Sequence, residues 1–143
     1  MRNSPGLATT TASALVGLTA QPVAVDVSIA SGLPCFDIAG LADVAVRETR
    51  TRVRSALEQS GYTFPARRVI VNIGPAGVRK AGTGLDLAIA CATLAAMGEL
   101  THAPLGDYLL LGELSLAGAL RPVRGVLGMV LDARDRGVSA VIV

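Results

Sequence analysis

The stretch from Arg67 to Met97 limits the fold more than any other part of the sequence. It opens with a β-branched run from Val69 to Ile73, which is typical of a buried strand. A glycine-rich loop follows, and the residues from Leu85 to Met97 are apolar almost all the way round a helix, which predicts a buried helix. In this layout backbone N–H groups can bind a phosphate or an oxyanion. The loop therefore has to be tested for chemistry.

The common nucleotide-binding motifs do not fit this loop. A P-loop needs a lysine directly after its second glycine, and Thr83 follows Gly82 instead. A dinucleotide-binding fingerprint would continue Gly82 and Gly84 with a third glycine, where the chain has Leu87. We therefore expect that this chain does not hydrolyse a nucleotide alone.

Arg79 and Lys80 form a cationic pair that we expect on an exposed part of the loop. The pair either serves solubility or contacts an anion or a partner. An alternative is a hydrolase with Thr83 as nucleophile and Lys80 as base. Nothing in the sequence places Lys80 in a desolvated pocket, so we favour Thr83 as a helix cap or a turn residue. Asp86 is expected in the first turn of the buried helix, where the helix dipole stabilises an acid.

Composition indicates a single α/β domain spanning residues 1–143. Apolar residues make up 51% of the chain and aromatic residues only 3%, so the core is expected to consist of alanine, valine, leucine and isoleucine. No apolar run reaches the ~18 residues of a membrane span, which favours a cytoplasmic protein with no membrane contact. One histidine and two cysteines predict neither a metal site nor a disulfide framework.

The hydrophobic pattern predicts the order of the elements. Strands are expected at 9–18, 21–29, 35–39, 69–73, 108–111 and 139–143, a hairpin at 112–120, and helices at 40–60, 85–97 and 126–136. In the second strand the apolar residues alternate, which places on one face Val23, Val25, Val27 and Ile29. The first helix is expected to have a buried stripe of Val46, Val53, Ala56 and Leu57. In the last helix Leu127, Val130, Leu131 and Ala133 are expected to point inward. Because the chain ends inside an apolar strand, we expect it to be a piece of a longer protein.

Two groups of arginines are candidates for binding. Arg47, Arg50 and Arg54 fall at i, i+3 and i+7 of the first helix and share one outer face, with Glu58 nearby. The face is either solvated and locally ion-paired or a basic stripe for a phosphate backbone or an acidic partner, and charge runs more often serve solvation. Arg121 and Arg124 flank Pro122 before a helix start, where anions are often held. The net charge of +2 permits nucleic-acid contact without arguing for it.

Four phrases together resemble one family. They are SALVGL at 13–18, SGLPCFDIAGLADVAVRETRTRVRSAL at 31–57, FPARRVIVNIGPAGVRKAGTGLDLAIA at 64–90 and GELSLAGALRPVRGVL at 112–127. They resemble the N-terminal domain of the magnesium-chelatase-like AAA+ ATPases, the YifB/ComM competence-protein family. The departures are small: Ala42 stands where the family usually has proline, and Gly77 where aspartate is common.

The resemblance implies a fold and a molecular context. The fold would be α/β (α+β), a two-layer βαβ domain of the Lon-protease and ribosomal-protein type, with a mixed sheet, about three helices and a left-handed crossover. An AAA+ module holding the Walker motifs and Mg-ATP would lie downstream, and no cofactor would bind this domain. Family members assemble as hexameric rings, and the competence members are similar to DNA helicases that drive branch migration.

The likeness to Lon also implies that this domain is not catalytic. Matched to proteolytic Lon domains, the nucleophilic serine position is Gly84 and the lysine position is Leu127, and these two residues cannot form a nucleophile–base pair. We therefore expect a non-catalytic domain that contacts DNA or packs against neighbouring subunits and its own AAA+ module; a purely structural oligomerisation module is the alternative. The expected contact residues are Arg47, Arg50, Arg54, Arg79, Lys80, Arg121 and Arg124.

Overall fold

A computed structural model describes residues 6–78, 80, 84–100 and 105–143. The strands are β1 (Leu7–Val16), β2 (Thr19–Ala30), β3 (Cys35–Ala39), β4 (Arg68–Gly74), β5 (Tyr108–Leu110), β6 (Glu113–Leu114), β7 (Leu120–Arg121) and β8 (Ala140–Ile142). The helices are α1 (Asp43–Gln59), α2 (Asp86–Met97) and α3 (Val126–Asp135), with a short 3-10 helix at Leu105–Asp107. Each element lies within two or three residues of its predicted position.

A mixed sheet of six strands, in the order β3-β4-β2-β1-β5-β8, forms the centre of the molecule. β2 runs antiparallel to both of its neighbours, β1 and β4, whereas β3 is parallel to β4, and β5 is parallel to both β1 and β8. β6 and β7 form a separate small hairpin. This confirms the predicted mixed α/β (α+β) class with three helices; the handedness of the crossover stays a prediction.

The main core lies between the sheet and the pair α1 and α2. The apolar residues of β2 alternate as predicted, with Val23, Val25, Val27 and Ile29 all buried. The apolar α2 packs across β1 and β2, and the hydroxyl of Thr10 donates a hydrogen bond to the carbonyl oxygen of Ala88 at 2.8 Å. The buried polar groups of the described residues thus have partners in the interior.

α3 lies on the opposite face of the sheet. Leu109 and Leu111 of the β5 region pack against Met129 and Ala133, whereas Leu110 between them belongs to the main core. Successive side chains of a strand point to opposite faces, so Leu109 and Leu111 face α3 while Leu110 faces the main core. At this end of the sheet α3 therefore adds a third layer to the predicted two. The prediction that Leu127 and Leu131 point inward is wrong, since both are exposed. α3 has apolar residues on several sides, and the sheet contacts only the side with Met129 and Ala133.

Gly40 allows the close connection between β3 and α1. Its φ is +101°, and a Cβ atom there would collide with the carbonyl oxygen of Ile73. The chain can therefore turn tightly past the end of β4 and begin α1 at Asp43, three residues later. This turn places the outer face of α1 beside β3, the edge strand of the sheet.

Among the residues that the structure describes, none of the helices has the length and apolar character of a membrane span.

Candidate anion-binding face of α1

Three of the predicted contact residues come together on α1. Arg47, Arg50 and Arg54 line one open depression of about 480 Å³, together with Thr51 and with Phe36 of β3. The predicted i, i+3, i+7 spacing therefore does place the three guanidinium groups on one side of the helix. We call this surface the α1 arginine face.

Neighbouring groups hold two of these arginines in place. Arg50 Nη1 donates a hydrogen bond to the carbonyl oxygen of Phe36 at 3.2 Å. The guanidinium of Arg54 lies 5.1 Å from the centre of the Phe64 ring and pairs with Glu58 at 3.2 Å, as the sequence predicted. The ring of Phe64 in turn packs on that of Phe36, with centroids 4.8 Å apart. A buried ring thus supports Arg54 and a backbone carbonyl holds Arg50, which would reduce the entropy lost on binding an anion.

Arg47 is the least engaged of the three arginines. It is exposed, and no ion pair or side-chain hydrogen bond of Arg47 is found among the described residues. An exposed guanidinium without an acidic partner can donate two parallel hydrogen bonds to a phosphate or a carboxylate. The α1 arginine face therefore combines two positioned cations with one that is available to an incoming anion.

A fourth arginine of the same helix, which the sequence interpretation missed, points into the protein. Arg52 Nε and Nη2 donate to the two carboxylate oxygens of Asp86 at 2.6 and 3.1 Å. Asp86 is completely buried, and it also accepts a hydrogen bond from the backbone N–H of Leu114 at 3.0 Å. One carboxylate thus connects α1, the first residue of α2 and the β6 hairpin. The available signal was that Arg52 directly precedes Val53, a residue of the buried stripe.

Burial and hydrogen bonding shift the pKa of the Asp86 carboxyl group in opposite directions. Loss of water raises the pKa of Asp86 above its ordinary value, and the hydrogen bonds from Arg52 and Leu114 lower it in part. The hydrogen bond to Asp86 raises the pKa of the Arg52 guanidinium. Arg52 is therefore committed to a structural contact and is not available to a ligand of the α1 arginine face.

The prediction of an exposed cationic pair in the central loop is wrong for Lys80. Its exposed fraction is 6%, and its Nζ donates a hydrogen bond to the carbonyl oxygen of Ile73 at 2.9 Å. The apolar stem of a lysine can pack in the interior, and the buried ammonium group then needs a hydrogen-bond acceptor, which the carbonyl oxygen of Ile73 supplies. Lys80 thus connects the loop to the end of β4. Arg79 and Thr83 lie outside the described residues.

Arg121 and Arg124 belong to a different surface. Arg121 lines a second depression with mainly aliphatic walls, and it pairs with Glu113 at 3.6 Å. Arg124 is exposed and has no acidic partner among the described residues. It precedes Gly125, the residue before α3. The structure therefore does not join these two arginines to the α1 arginine face in one site.

The two positions matched to the Lon dyad carry no reactive group. A Cβ atom at Gly84 would lie 3.5 Å from Val123 Cγ1, an ordinary contact, so the surroundings do not require glycine there. Leu127 on α3 is 74% exposed. Within the described ranges no three histidine, cysteine or acidic side chains gather in a way that could hold a metal ion.

Comparison with known proteins places this domain among relatives that are much longer. The family model described as "Subunit ChlI of Mg-chelatase" matches residues 25–143. The protein YifB of Escherichia coli (strain K12) is 43% identical over 90% of this chain, and the competence protein ComM of Haemophilus influenzae is 39% identical over 85%.

Lon protease 2 of Herpetosiphon aurantiacus is more distant, at 26% identity over 85% of the chain, which spans 16% of that protein. The chain spans about a quarter of the first two relatives, 26% of YifB and 24% of ComM. The matched residues include β3, α1, β4 and α2, which build the α1 arginine face and the central loop. The chain belongs to the ChlI family of magnesium-chelatase-like proteins.

Proposed function

We propose that this chain is a non-catalytic domain that contacts the phosphate backbone of DNA through the α1 arginine face. The observation that carries the proposal is the convergence of Arg47, Arg50 and Arg54 on one open depression of about 480 Å³. Guanidinium groups bind phosphate oxygens through charge-assisted, often bidentate hydrogen bonds. The predicted contact residues are thus narrowed to three arginines on one helix face, for which we expect a phosphate ligand.

The chemistry of the face favours backbone contact over base recognition. Phe36, which lines the face, and Phe64, which lies beneath Arg54, are both buried, so their rings do not offer a surface on which bases could stack. Phosphate contacts position a nucleic acid without recognising its sequence. We therefore expect binding that depends strongly on salt and weakly on base sequence.

The proposal extends to the longer protein. The resemblance to magnesium-chelatase-like AAA+ ATPases and the name of the competence protein ComM support a parent that uses Mg-ATP in a separate module, forms a hexameric ring and acts on branched DNA in the cytoplasm. In such a ring this domain would hold DNA or pack against the neighbouring subunit and its own AAA+ module, while hydrolysis takes place elsewhere.

Salt-dependent binding to DNA tests the proposal. Fluorescence anisotropy with labelled single-stranded, duplex and four-way-junction DNA would be measured from 50 to 200 mM salt. We expect Arg47→Glu to weaken binding about tenfold. The plot of the logarithm of the association constant against the logarithm of the salt concentration should also become less steep by about one unit, because each phosphate contact releases counterions.

A matched control separates local contact from net charge. Arg68 is exposed and has no acidic partner among the described residues, so Arg68→Glu makes the same change of charge at the start of β4. We expect a smaller loss, by a factor of about three or less. Equal losses in both variants, or no salt-sensitive binding to any of the three DNAs, would contradict the proposal.

The non-catalytic part of the proposal has its own test. Lys80 Nζ is hydrogen-bonded to the Ile73 carbonyl, which supports a structural role for this amine and disfavours the alternative Thr83–Lys80 hydrolase. We expect an acylating probe directed at serine and threonine nucleophiles to leave the chain unlabelled. Labelling that disappears in Thr83→Ala would overturn this part and leave the DNA-binding proposal standing.

A further inference from the structure

A series of three planar groups leads from the core to the surface of the α1 arginine face. The ring of Phe36, on β3, packs against the ring of Phe64, with 4.8 Å between the two centroids. The Cζ atom of Arg54 lies over the Phe64 ring, 5.1 Å from its centre. Both rings are buried, whereas the Arg54 side chain is 58% exposed. Its guanidinium is therefore the outer end of the series.

The neighbours of Arg54 leave one side of its guanidinium open. The Phe64 ring lies against one side of this planar group, and Nε donates a hydrogen bond to Glu58 at 3.2 Å. Because the ring covers one side and the side chain is still largely exposed, the surface in contact with water includes the side turned away from the ring. Arg54 thus presents a flat, positively charged surface to solvent.

A flat guanidinium is a surface on which an unpaired nucleobase can stack. Proteins that bind single strands stack bases on arginine guanidinium planes as well as on aromatic rings, and such stacking accepts every base. Attraction between the cation and the Phe64 ring keeps the guanidinium in this position. No cation–π contact of Arg47 is found in the part of the chain that the structure describes. Arg54 can therefore make a contact for which Arg47 is not prepared.

The other two arginines lie where the phosphates of the same strand can reach them. Side chains three or four positions apart on a helix are neighbours, with Cβ atoms about 5–6 Å apart. Arg50 precedes Arg54 by four residues, Arg47 precedes Arg50 by three, and all three line one depression. A strand with one base on Arg54 can thus place its adjacent phosphates against Arg50 and Arg47.

We propose that the α1 arginine face selects unpaired nucleotides, with one base stacked on the outer side of the Arg54 guanidinium and the adjacent phosphates bound by Arg47 and Arg50. This selection rests on the proposed contact with the DNA backbone and adds a preference for single strands to it. In a duplex the bases are stacked on one another, so only the phosphates reach the face. Arginines without a stacked base would instead favour the duplex, because its phosphates are more densely spaced.

Two single strands with the same phosphates test the inference. One is an oligothymidylate of about ten nucleotides, and the other is its abasic analogue, in which every base is missing. Fluorescence anisotropy gives the dissociation constant of each strand. We expect the wild type to bind the oligothymidylate about threefold to tenfold more tightly than the abasic strand. Arg54→Lys keeps the charge but removes the plane, so the ratio of the two constants should fall to about one.

Arg47→Lys is the matched control, because it makes the same exchange on the same face at an arginine without a cation–π contact among the described residues. It should weaken the binding of both strands to a similar extent and keep the wild-type ratio. A ratio that persists in Arg54→Lys, or that falls equally far in Arg47→Lys, would overturn the inference.

The same measurements separate failure of this inference from failure of the proposed function. Equal affinity of the wild type for the two strands, with binding that still weakens as salt rises, would overturn the stacked base and leave the backbone contact standing. If neither strand binds in a salt-dependent way, the backbone contact and the stacked base are both overturned.

Discussion

Asp86 is the residue on which three elements depend. Removal of its carboxylate would take both hydrogen bonds to Asp86 from the largely buried Arg52 guanidinium, which would keep the longer pair of 3.8 Å with the exposed Glu48, and it would leave the N–H of Leu114 without its acceptor. We expect Asp86→Ala to lower the free energy of unfolding by about 3–5 kcal/mol, the usual cost of breaking a buried pair from one side. Urea unfolding followed by circular dichroism measures it.

The exposed pair on the same helix is the matched control. Glu58→Ala removes the partner of Arg54 at the surface and should cost less than about 1 kcal/mol, because water already solvates both groups. The double replacement Arg52→Met with Asp86→Leu should recover part of the stability lost in Asp86→Ala. Similar costs for Asp86→Ala and Glu58→Ala would show that the buried pair contributes no more than a surface pair.

Burial of Cys91 should make the folded chain less stable at alkaline pH. Burial raises the pKa of its thiol from 9.0 to about 11. The unfolded chain therefore loses this proton at a lower pH than the folded chain, so the contribution to stability is complete below pH 9 and is lost as the pH rises to about 11. Urea unfolding between pH 8 and 11 should show a fall in the wild type that is shallower in Cys91→Ala. Parallel profiles would contradict the assignment to Cys91.

At the scale of elements, the turn at Gly40 determines where α1 begins. Gly40 and Gly61 both have positive φ, +101° and +93°, but only at Gly40 would a Cβ atom meet the backbone of β4. We expect Gly61→Ala to cost about 1–2 kcal/mol from backbone strain alone. Gly40→Ala should cost about 1–3 kcal/mol more, because β4 would have to move. Thermal unfolding of the two variants gives the comparison, and equal costs would contradict the steric argument.

Helices and strands could be predicted well where the apolar residues follow a single periodicity. The alternation from Val23 to Ile29 predicted both the strand β2 and its buried side, and the bounds of β3 were predicted correctly. The inward side of α3 could not be predicted, since apolar residues surround that helix and only the position of Leu109 and Leu111 selects Met129 and Ala133. A local pattern cannot identify which of several apolar sides a distant strand will contact.

At the scale of the whole molecule, the fold class followed from the sequence, whereas contacts between distant residues did not. The arginines of the α1 arginine face could be grouped because helical spacing is local. The pair Arg52–Asp86 joins residues 34 positions apart, and Lys80 is buried because the loop folds back on β4. Both depend on packing in three dimensions, which residue types and spacing do not specify.

The hydrogen bond from Arg50 to Phe36 has a consequence for solubility as well as for ligand binding. Phe36 belongs to β3, whose outer side would otherwise present an unpaired carbonyl oxygen to other chains. A positively charged side chain across a strand edge discourages the edge-to-edge pairing that leads to aggregation. Replacement of Arg50 would thus change colloidal behaviour together with the proposed binding of DNA. Arg47 and Arg54 are therefore the positions at which that proposal can be tested with the edge of β3 still covered.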